Sequence, residues 1–466
     1  MTILDDRTVA PADGFLVTGA SQTSPHGAGL TTALSRSTAQ FARPHGPDLL
    51  GRTEKYLQWQ QARRDAGVWP FSRCLGSAPR STCVVRDEQG NTRDGINFGS
   101  QDYLSLSLHP AVLAAAERAL REFGPHSAGS PMLTGNTDPS LALEADLGEA
   151  LQMEHVMLFP TGWAAGFGTI VGLVRPDDHV LLDNLSHACL QQGAQAATAN
   201  VRRHGHLDLA AIRSHLSDIR SKDSRNGILV VTEGLFSMDS DCPALGPLQD
   251  LCHEYSATLL VDVAHDFGAS GPRGTGTIGS QNLLGKVDLV MGAFSKTFAA
   301  NGGFLATRSE SVKQFVKMFG GTHTFSNAIS PLQAAVVVEA LRIVRSAEGE
   351  QRRGMLLEAV RALRDAFAGY GIRCMGDPSA IVPVPVGSEK VGRLAYSLVF
   401  DRGVFANLVE FPAVAIGASR FRMQVMAEHT GEQIQEAARV VAGAIDEAQA
   451  MVNPWTGARP ANKLDV

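Results

Sequence analysis

Apolar residues recur along this chain in two textures. Short β-rich runs lie at Val156 to Phe159, His179 to Leu182, Ile228 to Thr232, Thr258 to Val263, Val287 to Met291 and Phe304 to Thr307, with helical segments between most of them. That alternation predicts an α/β architecture, a mostly parallel sheet covered on both faces by helices. Beyond Pro331 a long helical stretch is expected, within which Leu356, Val360, Leu363 and Phe367 recur at helical spacing and make one face apolar. Ile381-Val382-Pro383-Val384-Pro385-Val386 predicts an edge strand, because its two prolines cannot donate to a ladder. Arg420 to Met426 predicts another strand. The pattern divides the chain into an N-terminal segment at 51–105, a large domain at 106–345 and a smaller C-terminal α+β domain at 346–450. Residues 1–50, rich in Ser, Thr, Gly and Pro and without a sustained period, are expected to form a flexible or partner-wrapping arm, and 451–466 a frayed tail.

At 466 residues the chain is long enough to bury a substantial core. With 44% hydrophobic and 19% charged residues it has the composition of a soluble globular protein. A formal net charge of -6, with no basic stripe to neutralise phosphates, argues against a nucleic-acid partner. The six cysteines are scattered and form no Cys-x-x-Cys pair, so free thiols in a reducing cytoplasm are expected and a zinc site is not. No signal peptide is visible in Met1 to Arg7, and the most apolar stretch, Gly162 to Val174, is too short and too Gly-rich to span a bilayer.

The chemistry concentrates at the ends of the strand-like runs. Lys296 follows the run Val287 to Met291 in Gly292-Ala293-Phe294-Ser295-Lys296, and Asp262-Val263-Ala264-His265 ends the run before it. This is the arrangement expected of a lysine that holds pyridoxal phosphate as a Schiff base, with an aspartate keeping the pyridine nitrogen protonated so that the ring accepts the electrons of a carbanion. A free lysine amine titrates near ~10.4, so such a lysine must be desolvated or sit beside positive charge to act near neutral pH. Phe159-Pro160-Thr161-Gly162-Trp163-Ala164-Ala165-Gly166 supplies a strand, a turn and a small-residue helix start whose backbone N–H groups suit an anion. Ser295 offers a hydroxyl to the same phosphate. His187, after the run His179 to Leu182, projects from another strand's carboxyl end, where ligands gather in open α/β sheets.

These residues resemble the α-oxoamine synthases, a family of pyridoxal-phosphate-dependent enzymes of fold type I. The resemblance runs from about Asn97 to His429 and is carried by Asn97 to Leu106, Leu133 to Asp138, Thr232 to Asp239, the Asp262 and Lys296 motifs, Arg420-Phe421-Arg422 and Ala427 to Thr430. It implies a pyridoxal 5'-phosphate enzyme in which Lys296 carries the cofactor, Asp262 pairs with its ring nitrogen and His265 contacts its phenolic oxygen. Ala264 packs beneath the ring and His187 stacks above it, while Gly162, Trp163 and Ser295 hold the phosphate. The resemblance also implies a homodimer with a shared active site, since the segment holding Ser326 and Asn327 reaches the partner subunit's phosphate. Arg422 is expected to bind the amino-acid carboxylate, a task suited to a guanidinium fork, assisted by Gln101 and Ser237.

The reaction so implied is a decarboxylative Claisen condensation of a small α-amino acid with an acyl thioester, on coenzyme A or a carrier protein, giving an α-amino ketone. Four positions depart from the family's pattern: Ala293 and Asn327 stand where threonines are usual, Gln101 where asparagine is frequent, and Pro131 where arginine is common. An aminotransferase, or an aldolase acting on β-hydroxy amino acids, fits Lys296 and Asp262 alone. The motifs at Gln101, Ser237 and Arg422 to His429 favour the synthase, and the presence of Lys296 disfavours a non-catalytic partner subunit.

Overall fold

The computed structural model describes residues 33–87 and 90–452. All six apolar runs form strands of one seven-stranded sheet. Its members are β4 (His155–Phe159), β5 (His179–Asp183), β6 (Val201–His204), β7 (Ile228–Glu233), β8 (Thr258–Asp262), β9 (Leu289–Ala293) and β10 (Gly303–Thr307), in the order β4-β10-β9-β8-β7-β5-β6. Only β10 runs against the rest, pairing antiparallel with both β4 and β9. Alternate residues of each strand enter different cores, which explains the continuous apolar runs: Val230, Val261 and Val290 face one helical layer, and Leu229, Val231, Leu260 and Met291 the other.

β9 begins two residues later than the run that marks it. Asp288 accepts the backbone N–H of Leu259 at 2.9 Å and the side chain of Gln249, so a carboxylate replaces a ladder carbonyl there. The stretch after Pro331 is two helices, Pro331–Val344 and Ala347–Gly369, because Ser346 turns out of the first and caps the second.

A second sheet has the order β1-β2-β3-β12-β13-β11, with β1 (Cys74–Leu75), β2 (Thr82–Arg86), β3 (Thr92–Phe98), β11 (Ile381–Gly387), β12 (Val404–Val409) and β13 (Ser419–Gln424). The proline-bearing β11 lies at its edge. Residues from the 51–105 segment and from the 346–450 region thus share one sheet, joined by the parallel pair β3–β12. The close approach depends on Gly95, where an added Cβ would lie 2.3 Å from the carbonyl oxygen of Gly403. Of the expected arm, residues 1–32 lie outside the described residues. Ala33 and Leu34 are buried beside Val68, and Arg393 donates to the carbonyls of Leu34 and Arg36 while bonding Glu410 at 2.8 Å. Residues 453–466 of the expected tail also lie outside the described residues.

His429 locks the two ends of this sheet's first and last contributions together. Its ring stacks on Phe98 at 4.1 Å, its Nε2 lies 3.1 Å from the carbonyl of Asn97, and its Nδ1 accepts the N–H of Met426. One nitrogen donates and the other accepts, so the ring is neutral. Burial pushes its pKa down to about 4, against the two backbone bonds. The unfolded chain therefore binds a proton between pH 6.5 and about 4 that the folded chain does not, and stability falls as pH drops through that window. The difference amounts to about 3 kcal/mol. Denaturant midpoints at pH 6.5 and pH 4 are expected to differ less in His429→Gln than in the native chain; equal acid sensitivity would contradict this assignment.

Candidate active site

Because β4, β5, β7, β8 and β9 point the same way, their carboxyl ends converge on one rim. There they open a cavity of about 210 Å³ lined by Gly162, Trp163, His187, Glu233, Asp262, Ala264, His265, Ser295 and Lys296, among others. Eight of the site residues expected from sequence thus meet in one place. Parallel register fixes the two acids side by side, since Glu233 at the end of β7 pairs with Asp262 at the end of β8.

One wall is a helix start. Thr161 caps the helix Gly162–Leu173 by accepting the N–H of Ala164 at 3.0 Å, which leaves the amides of Gly162 and Trp163 at the positive end of the helix. Glycine is required at 162 because a Cβ there would sit 2.4 Å from the Cβ of Ala293.

The floor holds charge without an ion pair. Burial lowers the pKa of Lys296 against the opposing pull of Asp262 and Glu233, and burial raises that of Asp262 against Lys296 and His187. Glu233 is raised well above the usual carboxylate range by burial and by the neighbouring Asp262 charge. Its Oε1 accepts the N–H of His187 at 2.6 Å, so it anchors the turn that carries the imidazole. His187 caps the helix Ala188–Ala197, its Nδ1 accepting the N–H of Cys189 at 3.3 Å and lying 3.0 Å from the Cys189 thiol. With Nδ1 accepting, Nε2 carries the hydrogen.

The second sheet reaches the cavity's His265 through Tyr103. Tyr103 donates to Gln424 Oε1 at 3.2 Å and lies 3.0 Å from His265 Nδ1, so that nitrogen holds its own hydrogen and donates to the phenol. Burial lowers the pKa of Lys296, His187 and His265, and the charge of Arg422, on β13, adds to that in each case. Its Nε is buried without a hydrogen-bond partner among the described residues, and its Nη1 lies 3.9 Å from the sulfur of Met238. Ser237 is buried in the neighbouring loop. Gln101 sits half-buried in a turn organised by Asn97, whose Oδ1 accepts the N–H groups of Gly99 and Ser100 at 3.1 Å. Neither lines the cavity.

Ser326 and Asn327 lie away from this chain's own cavity. Asn327 Nδ2 is 3.2 Å from His126 Nε2, and the adjacent Phe325 is 90% exposed. Glu233, Cys189 and Tyr103 were not singled out from sequence as site residues. Glu233 and Tyr103 do stand within the motifs quoted above, but only strand register and the packing of the second sheet show that they face the site.

Residues 93–441 match the model of the aminotransferase class I and II family. The chain is 33% identical over 353 residues to a serine palmitoyltransferase of Sphingobacterium spiritivorum, covering 76% of this chain and 87% of that protein. It is also 33% identical over 394 residues to an 8-amino-7-oxononanoate synthase of Salmonella newport (strain SL254), covering 83% of this chain and all of that one. A serine palmitoyltransferase structure, solved with a pyridoxal phosphate internal aldimine, superposes with a TM-score of 0.80 at 28% identity over 86% of this chain and 99% of that one. Within that broad class, the chain belongs to the α-oxoamine synthase family.

Burial raises the pKa of Glu233 well above the usual carboxylate range, and Glu233→Gln keeps the oxygen that accepts the His187 N–H. Thermal unfolding at pH 7 should show a change below about 1 kcal/mol, whereas Glu233→Ala, which leaves the His187 N–H unpaired, should cost about 2 kcal/mol. A large loss in Glu233→Gln would show that the charged form is the one held.

Proposed function

We propose that this chain is a pyridoxal-phosphate-dependent acyltransferase that condenses a small α-amino acid with an acyl thioester, releasing carbon dioxide and the thiol and leaving an α-amino ketone. The observation that carries this reading is the meeting of Lys296 and Asp262 in one buried cavity, with the charge of Arg422, whose buried Nε has no partner among the described residues, acting on Lys296 from nearby. The residues fit the cofactor: an amine with a depressed pKa, an acid without an ion-pair partner, and a helix start whose Gly162 and Trp163 amides line the cavity. Bound there, pyridoxal phosphate supplies an electron sink for the negative charge that develops at the amino acid's α-carbon.

The chain's own residues do the rest. The amides of Gly162 and Trp163 and the hydroxyl of Ser295 hold the phosphate, and Asp262 keeps a proton on the ring nitrogen. Ala264 and His187 bound the ring's space, and His265 faces its phenolic oxygen. Arg422 takes the substrate carboxylate on its guanidinium fork, with Gln101 and Ser237 assisting. Lys296, whose pKa is lowered by burial, accepts the α-proton. Holding the carboxylate at Arg422 fixes which bond to the α-carbon stands perpendicular to the ring, and so which bond breaks.

The site is read as completed by a second copy of the chain, whose Ser326 and Asn327 reach the phosphate. Supporting this, Leu133, Phe319 and Phe325 are exposed at 81%, 59% and 90%, and Ser130 Oγ ties the loop bearing Leu133 to the segment before Phe325 through the carbonyl of Thr324. No helix among the described residues is long and apolar enough to cross a membrane, and all six cysteines are free, which suits a reducing cytoplasm.

In Lys296→Ala the visible band of the bound cofactor should be lost, and exchange of the amino acid's α-proton in deuterated water should fall by about 100-fold or more. Arg422→Gln should keep the band while the amino-acid KM rises about 30-fold, the loss of one charge-assisted bond. An unchanged spectrum in the first variant refutes the lysine assignment. Thiol release matched to amino-acid consumption separates the synthase from an aminotransferase or aldolase, which release none. Light scattering should give twice the chain mass, and Phe325→Glu should reduce it and the cofactor affinity together.

A further inference from the structure

Two loops border the amino-acid edge of the proposed site, and one side chain outside the cavity joins them. We propose that His206, clamped as an imidazolium between Asp183 and Asp241, is a positioning residue that sets the ring-facing His187 loop against the loop under Arg422. The proposal rests on the function proposed above and concerns the geometry of its amino-acid site.

His206 Nδ1 lies 3.0 Å from Asp183 Oδ1, and its Nε2 lies 3.0 Å from both carboxylate oxygens of Asp241. A neutral imidazole carries one N–H, so carboxylates on both nitrogens require both protons. Burial alone would lower the pKa; the bonds to the two aspartates exceed it and lift the group to about 10. The ring is further fixed by Phe236, which meets it edge-on at 4.6 Å.

Each aspartate organises one loop. Asp183 ends β5 with its side chain 1% exposed, and it also accepts the N–H of Leu185 at 2.8 Å and of Leu207 at 2.9 Å. That turn delivers His187 to the cavity. Asp241 closes the loop from Gly234 onward: it bridges Phe236, whose N–H donates to the Asp241 carbonyl at 2.9 Å. Between these two residues lie Ser237, Met238, Asp239 and Ser240. The Met238 carbonyl accepts Arg420 Nη1 at 2.9 Å, Asp239 pairs with the same guanidinium, and the Met238 sulfur touches Arg422. One cation therefore bolts the stacking imidazole's loop to the loop on which the carboxylate-binding strand rests.

Without His206 the two carboxylates lose their shared counter-ion, and the buried Asp183 keeps only backbone donors. The loops then separate or rotate, and a displacement near 1 Å between His187 and Arg422 costs about 100-fold in a reaction that depends on bond orientation. Cofactor retention, set by Lys296, Asp262 and the Gly162 turn, does not pass through this clamp.

The test uses the cofactor-loaded full chain and the variants His206→Asn, Asp241→Asn and their double, with glycine, alanine and serine as probes. Amino-acid affinity is read from the spectral change on binding, and α-proton exchange in deuterated water gives the rate. The expected result is an intact cofactor band in every variant, with amino-acid affinity or exchange reduced at least about tenfold in each single variant. The double variant should lose no more than the worse single one, since both break one clamp. Single variants within about twofold of the native chain, or losses that multiply in the double, overturn the proposal. Asp241 is partly exposed, so its variant decides the matter if His206→Asn does not fold. A native chain that takes up no pyridoxal phosphate fails the function proposed above; a native chain that exchanges protons normally alongside unaffected variants fails the clamp alone.

Discussion

The structure turns on the burial of charges that do not neutralise one another as ion pairs. Lys296, Asp262 and Arg422 are each shifted chiefly by desolvation, and none forms a salt bridge among the described residues. Withdrawing such groups from water costs several kcal/mol apiece when they stay charged. A folded chain tolerates this only where a large core supplies the surplus and where the strain is relieved when a ligand arrives. Here the two helical layers over the seven-stranded sheet supply the first. Under the proposed reading, a ring nitrogen, a phosphate and a substrate carboxylate supply the second.

The same constraint explains why two sheets are needed. Strand ends of the parallel sheet bring Lys296, Asp262, Glu233 and His187 to one rim, but they offer no cation for a carboxylate on the far side. Arg422 comes from β13, and its position is inherited from a chain of local fixings. Gly95 lets β3 close on Gly403, His429 ties Asn97 to the turn after β13, and Tyr103 bonds both His265 and Gln424. Each joint is a neutral hydrogen bond or a close backbone contact. Ionic joints are kept outside the cavity, at His206 and at Glu410, where they do not compete for the ligand's charges.

What could be read from sequence follows the same division. Strands buried on both faces show as continuous apolar runs, so the seven-stranded sheet was legible except for β6, whose Val201-Arg202-Arg203-His204 has one apolar residue in four and lies at the sheet edge. Lys296 and Asp262 were legible because residue type and strand-end position coincide. β1 and β3 were not, since β1 is two exposed residues and β3 mixes exposed and half-buried positions without a clean alternation, and β12 follows a helix after only Arg402 and Gly403. Arg422 stood out only through the family motif. Nothing in local periodicity separates it from Arg420, which the fold assigns to Asp239 instead. The pairing of Glu233 with Asp262 needed the register between two strands distant in sequence.

Ala293 shows how a departure from the family's pattern is absorbed. It lines the cavity next to Gly162, and its methyl lies where the Cβ of any other residue at 162 would fall. A threonine there offers a phosphate one more hydroxyl, and a bond to a charged group of that kind is worth about 1.5 to 3 kcal/mol. Under the proposed reading, its absence leaves the helix-start amides and Ser295 as the chain's own phosphate donors, with more of the cofactor's retention falling on the covalent link to Lys296 and the partnership with Asp262. In the proposed dimer, a second copy's Asn327, whose amide would donate where a threonine hydroxyl otherwise does, then matters more to this chain than to relatives with threonine at both places. Cofactor retention and assembly are therefore expected to be more tightly coupled here, because fewer contacts from one subunit hold the anion.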